Sequence, residues 1–148
     1  RALNHELIRS DLSRDQFTQV ATIQRTPSAS VDHVRLGQRH LVLKELDMAD
    51  KSAQQALIRE CELLQKLQHR FIVPLECIFF SSATKVCLVM PYFKNGNLRA
   101  WVTEHQGPQA ASSSIVRARM HELFLAVAFL HQHHIVHRDI KVLECVFF

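Results

Sequence analysis

The sequence predicts an α+β fold in which a small antiparallel sheet carries one inserted helix and is followed by further helices. Two observations predict this layout: the spacing of apolar residues along the chain and the order of the predicted strands and helices. Apolar and β-branched residues alternate with a period near two in the first half of the chain, whereas the second half shows helical spacing. The chain has 148 residues, 47% of them hydrophobic, which is enough to bury a core. Strands first and helices afterwards is an order typical of α+β proteins.

Five segments between residues 17 and 92 are predicted to be strands. Gly37 and Gln38 stand between the second and third segments, as a short hairpin turn requires. The polar run Ser-Ser-Ala-Thr separates the fourth segment from the fifth. The five segments are residues 17–23, 30–36, 40–46, 76–80 and 85–92.

The first predicted helix lies between the third and fourth strands, over about residues 51–68. Its residues Leu57, Cys61 and Leu64 fall on one face at helical spacing, so that face is expected to cover the sheet. The other helices are predicted over 98–105, with Asn97 as N-cap, and over about 114–132.

The composition of the chain bears on its partners and on its compartment. The formal net charge of +4 is modest, and Lys and Arg are scattered along the chain, so no nucleic-acid partner is predicted. No apolar run approaches the roughly 20 residues that span a bilayer, so no membrane partner is predicted. The cysteines form no Cys-x-x-Cys pair, which favours free thiols in a reducing intracellular compartment, the cytoplasm or the nucleus. They are Cys61, Cys77, Cys87 and Cys145.

The stretch HQHHIVHRDIK, residues 131–141, contains four of the ten histidines and an Arg-Asp pair. A zinc site, a run of surface histidines and a catalytic loop are the competing interpretations. His133 and His137 have i, i+4 spacing, but no Glu follows the first of them and no cysteine lies near enough to complete a zinc site. The Arg-Asp pair suits a turn after a helix better than a metal site.

The segment IVHRDIK resembles the catalytic loop of eukaryotic protein kinases. Three further motifs precede it in the order of that family: HLVLKEL, RECELLQKLQHRFIVPL and CLVMPYFKNGNL. A lone His-Arg-Asp is a common tripeptide, whereas four motifs in order are specific. The resemblance covers about residues 17–148 and implies a serine/threonine-type kinase domain. It implies an N-terminal extension over 1–16, where a short helix is expected, an N-lobe with the start of the hinge over 17–92, and a partial C-lobe over 93–148.

The resemblance also implies ATP and Mg²⁺ as cofactors and a protein substrate or protein partner. Lys44 would hold the α/β-phosphates of ATP, and Glu60 in the inserted helix would pair with that lysine. The remaining ATP-binding assignments are Met90 as gatekeeper, Pro91 and Phe93 as the hinge residues whose backbone groups meet adenine, and Asn97 near the ribose.

In the loop itself, the resemblance makes Asp139 the catalytic base. Lys141, a residue typical of serine/threonine kinases, would steady the γ-phosphate. Arg138 would meet a phosphate of the activation segment, and His137 would be structural. His134 stands where the family usually has a glycine in the left-handed conformation, a region that histidine tolerates better than β-branched residues do.

Two departures from the family pattern lie inside the motifs. The positions of the glycine-rich loop hold Gln24, Thr26 and Ala29, with Pro27 among them. Side chains at these positions crowd the approach of the backbone to phosphates, and proline removes one N–H donor. Glu144 stands where the family has the Asn that ligates Mg²⁺, and its longer, charged side chain would alter the metal geometry.

A third departure is that no Asp-Phe-Gly occurs before Phe148. The sequence therefore predicts a kinase fragment that is inactive or impaired in phosphoryl transfer. The alternative is a pseudokinase module that acts as a protein-interaction scaffold or regulator. The intact Lys44, Glu60 and Asp139 favour the first interpretation, while the missing glycines and Glu144 favour the second.

Overall fold

A computed structural model describes residues 7–48, 51–105, 114–138 and 140 of the chain. The chain divides into two compact units, which we call the sheet unit and the helical unit. The sheet unit is Arg1–Gln68 with Val73–Tyr92, and the helical unit is His69–Ile72 with Phe93–Phe148.

The sheet unit contains a five-stranded antiparallel sheet with the strand order β1-β2-β3-β5-β4. The five predicted strands, the hairpin at Gly37 and the inserted helix are confirmed. Gly37 has a φ of 60°, which a glycine adopts without strain. The elements are β1 (Thr18–Arg25), β2 (Ala29–Leu36), β3 (Arg39–Asp47), α1 (Lys51–Lys66), β4 (Cys77–Ser82) and β5 (Lys85–Pro91).

Successive side chains of a strand point to opposite faces, so the sheet has two faces with separate cores. We call the face that α1 covers the helix face and the opposite one the outer face. Leu57 and Cys61 of α1 are buried, as their helical spacing predicts. The helix-face core contains Leu57, Cys61, Ile78, Val86 and Leu88, and the outer-face core contains Phe17, Val34, Leu41, Leu43, Phe79, Cys87 and Val89.

The segment that precedes β1 packs on the sheet unit. Ile8 forms a parallel bridge with Ile78 at the edge of β4, flanked by backbone hydrogen bonds of 2.8 and 2.9 Å. The expected short helix is therefore wrong for the described start of this segment, because the backbones of Leu7 and Arg9 are hydrogen-bonded to Ile78 at the strand edge. A single 3₁₀ turn, Arg14–Gln16, is its only helical element among residues 7–17.

The helical unit contains α2 (Leu98–His105) and α3 (Ser114–Gln132), both with the predicted bounds. At the end of α3, His134 is left-handed with a φ of 59°. The N–H of Ile135 then donates to the carbonyl of Leu130 at 2.9 Å, which is the closing bond of a Schellman motif. The left-handed conformation expected of His134 is thus confirmed.

None of the helices in the described ranges is long and apolar enough to cross a membrane.

Candidate functional site

Lys44 lies on β3 and is partly buried. It pairs in register with Val31 of β2 and with Leu88 of β5. Leu88 belongs to the helix-face core, so the lysine lies on the face that α1 covers. Glu60 is in α1 as predicted, but its side chain lies outside the described residues. The structure therefore places Lys44 on the face that the predicted pairing requires, and the pairing itself stays a prediction.

The turn between β1 and β2 occupies the place of the glycine-rich loop. The N–H of Thr26 donates to the carbonyl of Ala29 at 2.8 Å, and the N–H of Ala29 donates to the Thr26 hydroxyl at 3.1 Å. Pro27 has no N–H. The carbonyl of Ser28 accepts the N–H of Asp47 at 3.0 Å, which ties the turn to β3. Two backbone donors of the turn are thus engaged inside it, and a third does not exist.

The predicted hinge residues are divided between the two units. Met90 and Pro91 are the last residues of β5 and pair with Val42 and Leu41 of β3. Met90 shares the helix face with Lys44, because its partner on β3, Val42, is two residues from Lys44. Tyr92 ends the sheet unit and Phe93 begins the helical unit. The roles of these residues in binding adenine stay predictions.

Asn97 caps α2. Its side-chain oxygen accepts the N–H of Ala100 at 2.9 Å, so the predicted N-cap is confirmed. The preceding residues form a turn in which the N–H of Gly96 donates to the carbonyl of Phe93 at 3.1 Å. Gly96 has a φ of 67°, which favours glycine. The oxygen of Asn97 is thus engaged with the helix, while its predicted contact with ribose stays a prediction.

The predicted catalytic loop begins directly after the Schellman motif. His137 and Arg138 are exposed. Arg138 has a φ of 64°, a conformation that is uncommon for a residue with a side chain and that recurs at functional sites. The other assigned residues, Asp139, Lys141 and Glu144, lie outside the described residues, so their roles stay predictions.

Sequence reasoning missed a cluster of three rings in the sheet unit. His33 is 8% exposed, and its Nε2 lies 2.8 Å from Nδ1 of His40. The ring of His33 stacks on that of Tyr92, with centroids 3.6 Å apart and planes 2° apart. The hairpin register, which pairs Arg35 with His40, places the two histidines diagonally on one face and was a usable signal. No local signal pointed to Tyr92.

Burial and the neighbouring His40 both lower the pKa of His33, and burial is the larger cause. The described cysteines behave differently. Among the described residues, Cys61, Cys77 and Cys87 form no disulfide bond, and burial raises the pKa of Cys87 to about 11. A buried thiol of this kind stays protonated at neutral pH and does not act as a nucleophile.

Comparison with known proteins identifies one family. The protein kinase domain profile matches residues 28–144, more than half of the chain. Serine/threonine-protein kinase 33 of Mus musculus is 36% identical over 96 residues, which cover 65% of this chain and 19% of that protein. The probable serine/threonine protein kinase IREH1 of Arabidopsis thaliana is 33% identical over 103 residues, which cover 68% of this chain and 7% of that protein.

A tyrosine kinase is also similar. Tyrosine-protein kinase SPK-1 of Girardia tigrina is 24% identical over 132 residues, which cover 88% of this chain and 26% of that protein. The chain thus spans about a quarter or less of the length of each of these three relatives.

Proposed function

The chain belongs to the protein kinase domain family, and on that premise we propose that it supplies the ATP-binding part of a serine/threonine-type kinase, with phosphoryl transfer impaired. The family transfers phosphoryl groups from ATP with Mg²⁺ to protein substrates. The observation that carries the impairment is the engaged β1–β2 turn. Backbone N–H groups that already donate to Ala29 and Thr26 do not stabilise a phosphate without breaking those bonds.

Under this proposal the base of the nucleotide is held by the backbone of Pro91 and Phe93, beside Met90. Lys44 supplies a positive charge for the α/β-phosphates, and Glu60 orients that lysine. Asn97 contacts the ribose. Placement of Lys44 and Met90 on one face of the sheet supports the assignment.

The remaining assignments concern phosphoryl transfer. Asp139 orients the substrate hydroxyl and accepts its proton, and Lys141 steadies the charge on the γ-phosphate. Arg138 binds a phosphorylated segment, with His137 supporting the loop. The left-handed φ of 64° at Arg138, next to the proposed base, supports a functional loop. The carboxylate of Glu144 is an oxygen donor of the type that Mg²⁺ prefers, so its chemistry fits this metal.

The test compares ATP with adenosine, which lacks phosphates. We expect the chain to bind ATP only modestly tighter than adenosine in the presence of Mg²⁺, because Lys44 contributes to phosphate binding whereas the turn adds little. Replacing Gln24, Thr26 and Ala29 by glycine should tighten ATP binding about tenfold and leave adenosine unchanged, since a hydrogen bond to a charged group contributes about 1.5–3 kcal/mol. Isothermal titration calorimetry measures both ligands.

Two variants control this experiment. Gln38→Gly adds a glycine to the turn between β2 and β3 and should change neither Kd. Lys44→Met should weaken ATP binding, whereas Lys66→Met, at the exposed end of α1, should not. Much tighter binding of ATP than of adenosine by the unmodified chain would contradict the impaired turn, and an unchanged ATP Kd in Lys44→Met would contradict the role of that lysine.

The same turn favours a second candidate function, a pseudokinase module that acts through protein–protein contact. Its supporting observations are the engaged donors at Thr26 and Ala29 and the presence of Glu144 in place of asparagine. A folded chain that binds neither adenosine nor ATP would select this candidate. For either function we propose a reducing compartment, cytoplasmic or nuclear, which the absence of a disulfide bond among the described cysteines supports.

A further inference from the structure

We propose that His33 is a positioning residue for the hinge, that its ring holds the ring of Tyr92, and that acid releases this hold and weakens nucleotide binding. The inference rests on the proposed function, because it uses the place of Tyr92 between Pro91 and Phe93. It concerns three rings of the sheet unit, of which His40 and Tyr92 belong to quoted kinase motifs and His33 does not.

The stack is close enough to fix the side chain of Tyr92. Its centroid lies 3.6 Å from that of His33, and the planes are nearly parallel. His33 is itself 8% exposed, so the ring on which Tyr92 rests is held by the sheet. A fixed ring restricts rotation of the peptide groups on both sides of Tyr92, and these belong to the residues proposed to meet adenine.

The hydrogen bond between His33 and His40 depends on how many protons the pair carries. A hydrogen bond between two imidazoles needs one N–H and one bare nitrogen, and the facing atoms are 2.8 Å apart. A first proton can bind at an outer nitrogen and keep this bond. A second proton leaves hydrogens on both facing nitrogens, so the bond is lost and two cations repel. His40 is exposed and can turn to water, whereas His33 is hydrated only by leaving Tyr92.

Arg35 and Lys44 are the charged residues of β2 and β3 that share the helix face with the pair. On β2, Arg35 lies opposite His40, and on β3, Lys44 lies two residues beyond the partner of His33, so both cations share the helix face. On β1 the partner of His33 is Ala21, which carries no charge. The acidic residues of these strands alternate to the outer face: Asp32, Glu45 and Asp47.

Tyr92 is the only tyrosine of the chain, which gives the test a specific probe. We would label tyrosine rings with ¹³C and record their NMR signals between about pH 8 and pH 5.5, a range that brackets the ordinary histidine pKa. The adenosine Kd would be measured over the same range, because adenosine carries no phosphate that titrates there. We expect the Tyr92 signals to move on acidification and the Kd to rise about two- to tenfold, as loss of one aromatic stack implies.

The variant His33→Phe keeps an aromatic ring without the titrating nitrogens. Its ratio of adenosine Kd at about pH 5.5 to that at about pH 8 should be close to one, and its Tyr92 signals should not titrate. His121→Phe, on the exposed surface of α3, is the matched control and should behave like the unmodified chain. If His33→Phe fails to fold, His40→Ala replaces it. Removing the neighbouring imidazole should then shift the Tyr92 titration to higher pH.

The outcomes separate this inference from the proposed function. Adenosine binding at about pH 8 with a pH-independent Kd or static Tyr92 signals would overturn the inference and leave the proposed function standing. A chain that binds no adenosine at either pH would overturn the proposed function together with the effect on binding. In that case the Tyr92 signals of the unmodified chain and of His33→Phe still decide whether His33 holds the ring.

Discussion

The two faces of the sheet treat their buried polar groups differently. On the outer face, Asp32 is 4% exposed and accepts hydrogen bonds from Gln19, Thr22 and Ser30 at 3.0–3.3 Å. On the helix face the very next residue, His33, is 8% exposed but has one imidazole partner and one stacked ring. Asp32 thus accepts several hydrogen bonds, in what we call the saturated network, whereas the neighbouring His33 has a single hydrogen-bond partner.

This difference indicates which face of the sheet unit can respond to a change in pH. A carboxylate that accepts several hydrogen bonds is held in position, so it contributes to stability. A histidine pair that shares one hydrogen bond changes when a proton is added. The helix face, which carries His33 and His40, also carries Lys44 and Met90. The outer face is the structural side of the sheet, and the helix face is the side with proposed functions.

Breaking the outer-face core should have the largest effect. Phe79 is fully buried, and its ring stacks on that of Phe17 with centroids 5.4 Å apart. We expect Phe79→Ala to lower the free energy of unfolding by about 3–5 kcal/mol, because it leaves a cavity. Urea unfolding followed by circular dichroism measures the change. The neighbouring Phe80 is 52% exposed, so Phe80→Ala is a matched control; equal losses in the two variants would refute the outer-face core.

Opening the saturated network should have an intermediate effect. In Asp32→Ala the donors of Gln19, Thr22 and Ser30 lose their shared acceptor. We expect the free energy of unfolding to fall by about 1–3 kcal/mol, since water can accept some of these hydrogen bonds instead. The control Asp15→Ala removes an exposed carboxylate from the 3₁₀ turn and should be nearly silent. The same urea measurement applies, and a silent Asp32→Ala would show that the network is not stabilising.

The smallest loss of stability should come from replacing Glu45, and this loss should depend on pH. Burial alone would raise the pKa of Glu45, but hydrogen bonds from Lys85 and Ser81, both at 3.0 Å, outweigh it and lower that pKa. A lowered carboxyl pKa gives stability that is complete above the ordinary value of 4.5 and is lost as the pH falls through the folded-state pKa. We expect Glu45→Gln to destabilise less than Asp32→Ala.

The helix face should lose stability at a higher pH. The pKa of His33 is lowered from 6.5, so the folded chain binds fewer protons than the unfolded chain just below that pH, and stability falls as the pH drops. Unfolding free energies between about pH 7.5 and pH 3.5 would show both losses. Glu45→Gln should flatten only the lower one and His33→Phe only the upper one. A single shared window would contradict the contrast between the faces.

Much of the fold followed from the sequence. Leu57 and Cys61 share the buried stripe of α1 that helical spacing predicted, and the strand bounds agree to within two residues. Asn97 and His134 also adopt their predicted roles at helix ends. The candidate site residues were assigned from the kinase motifs, and their roles stay predictions. Their contacts did not follow from those motifs, because a motif names residue types and an order but not the atoms that meet.

By itself the sequence determined the strands, the helices and their ends, because each depends on residues a few positions apart, where periodicity and backbone preference act. It also determined the family, because four motifs follow one another in the order of protein kinases. Only the tertiary structure decided that Ile8 lies along β4, that Phe17 covers Phe79 and that His33 lies against Tyr92. Each of these contacts joins residues roughly sixty or seventy positions apart. Their formation depends on the packing of whole strands, which local sequence does not encode.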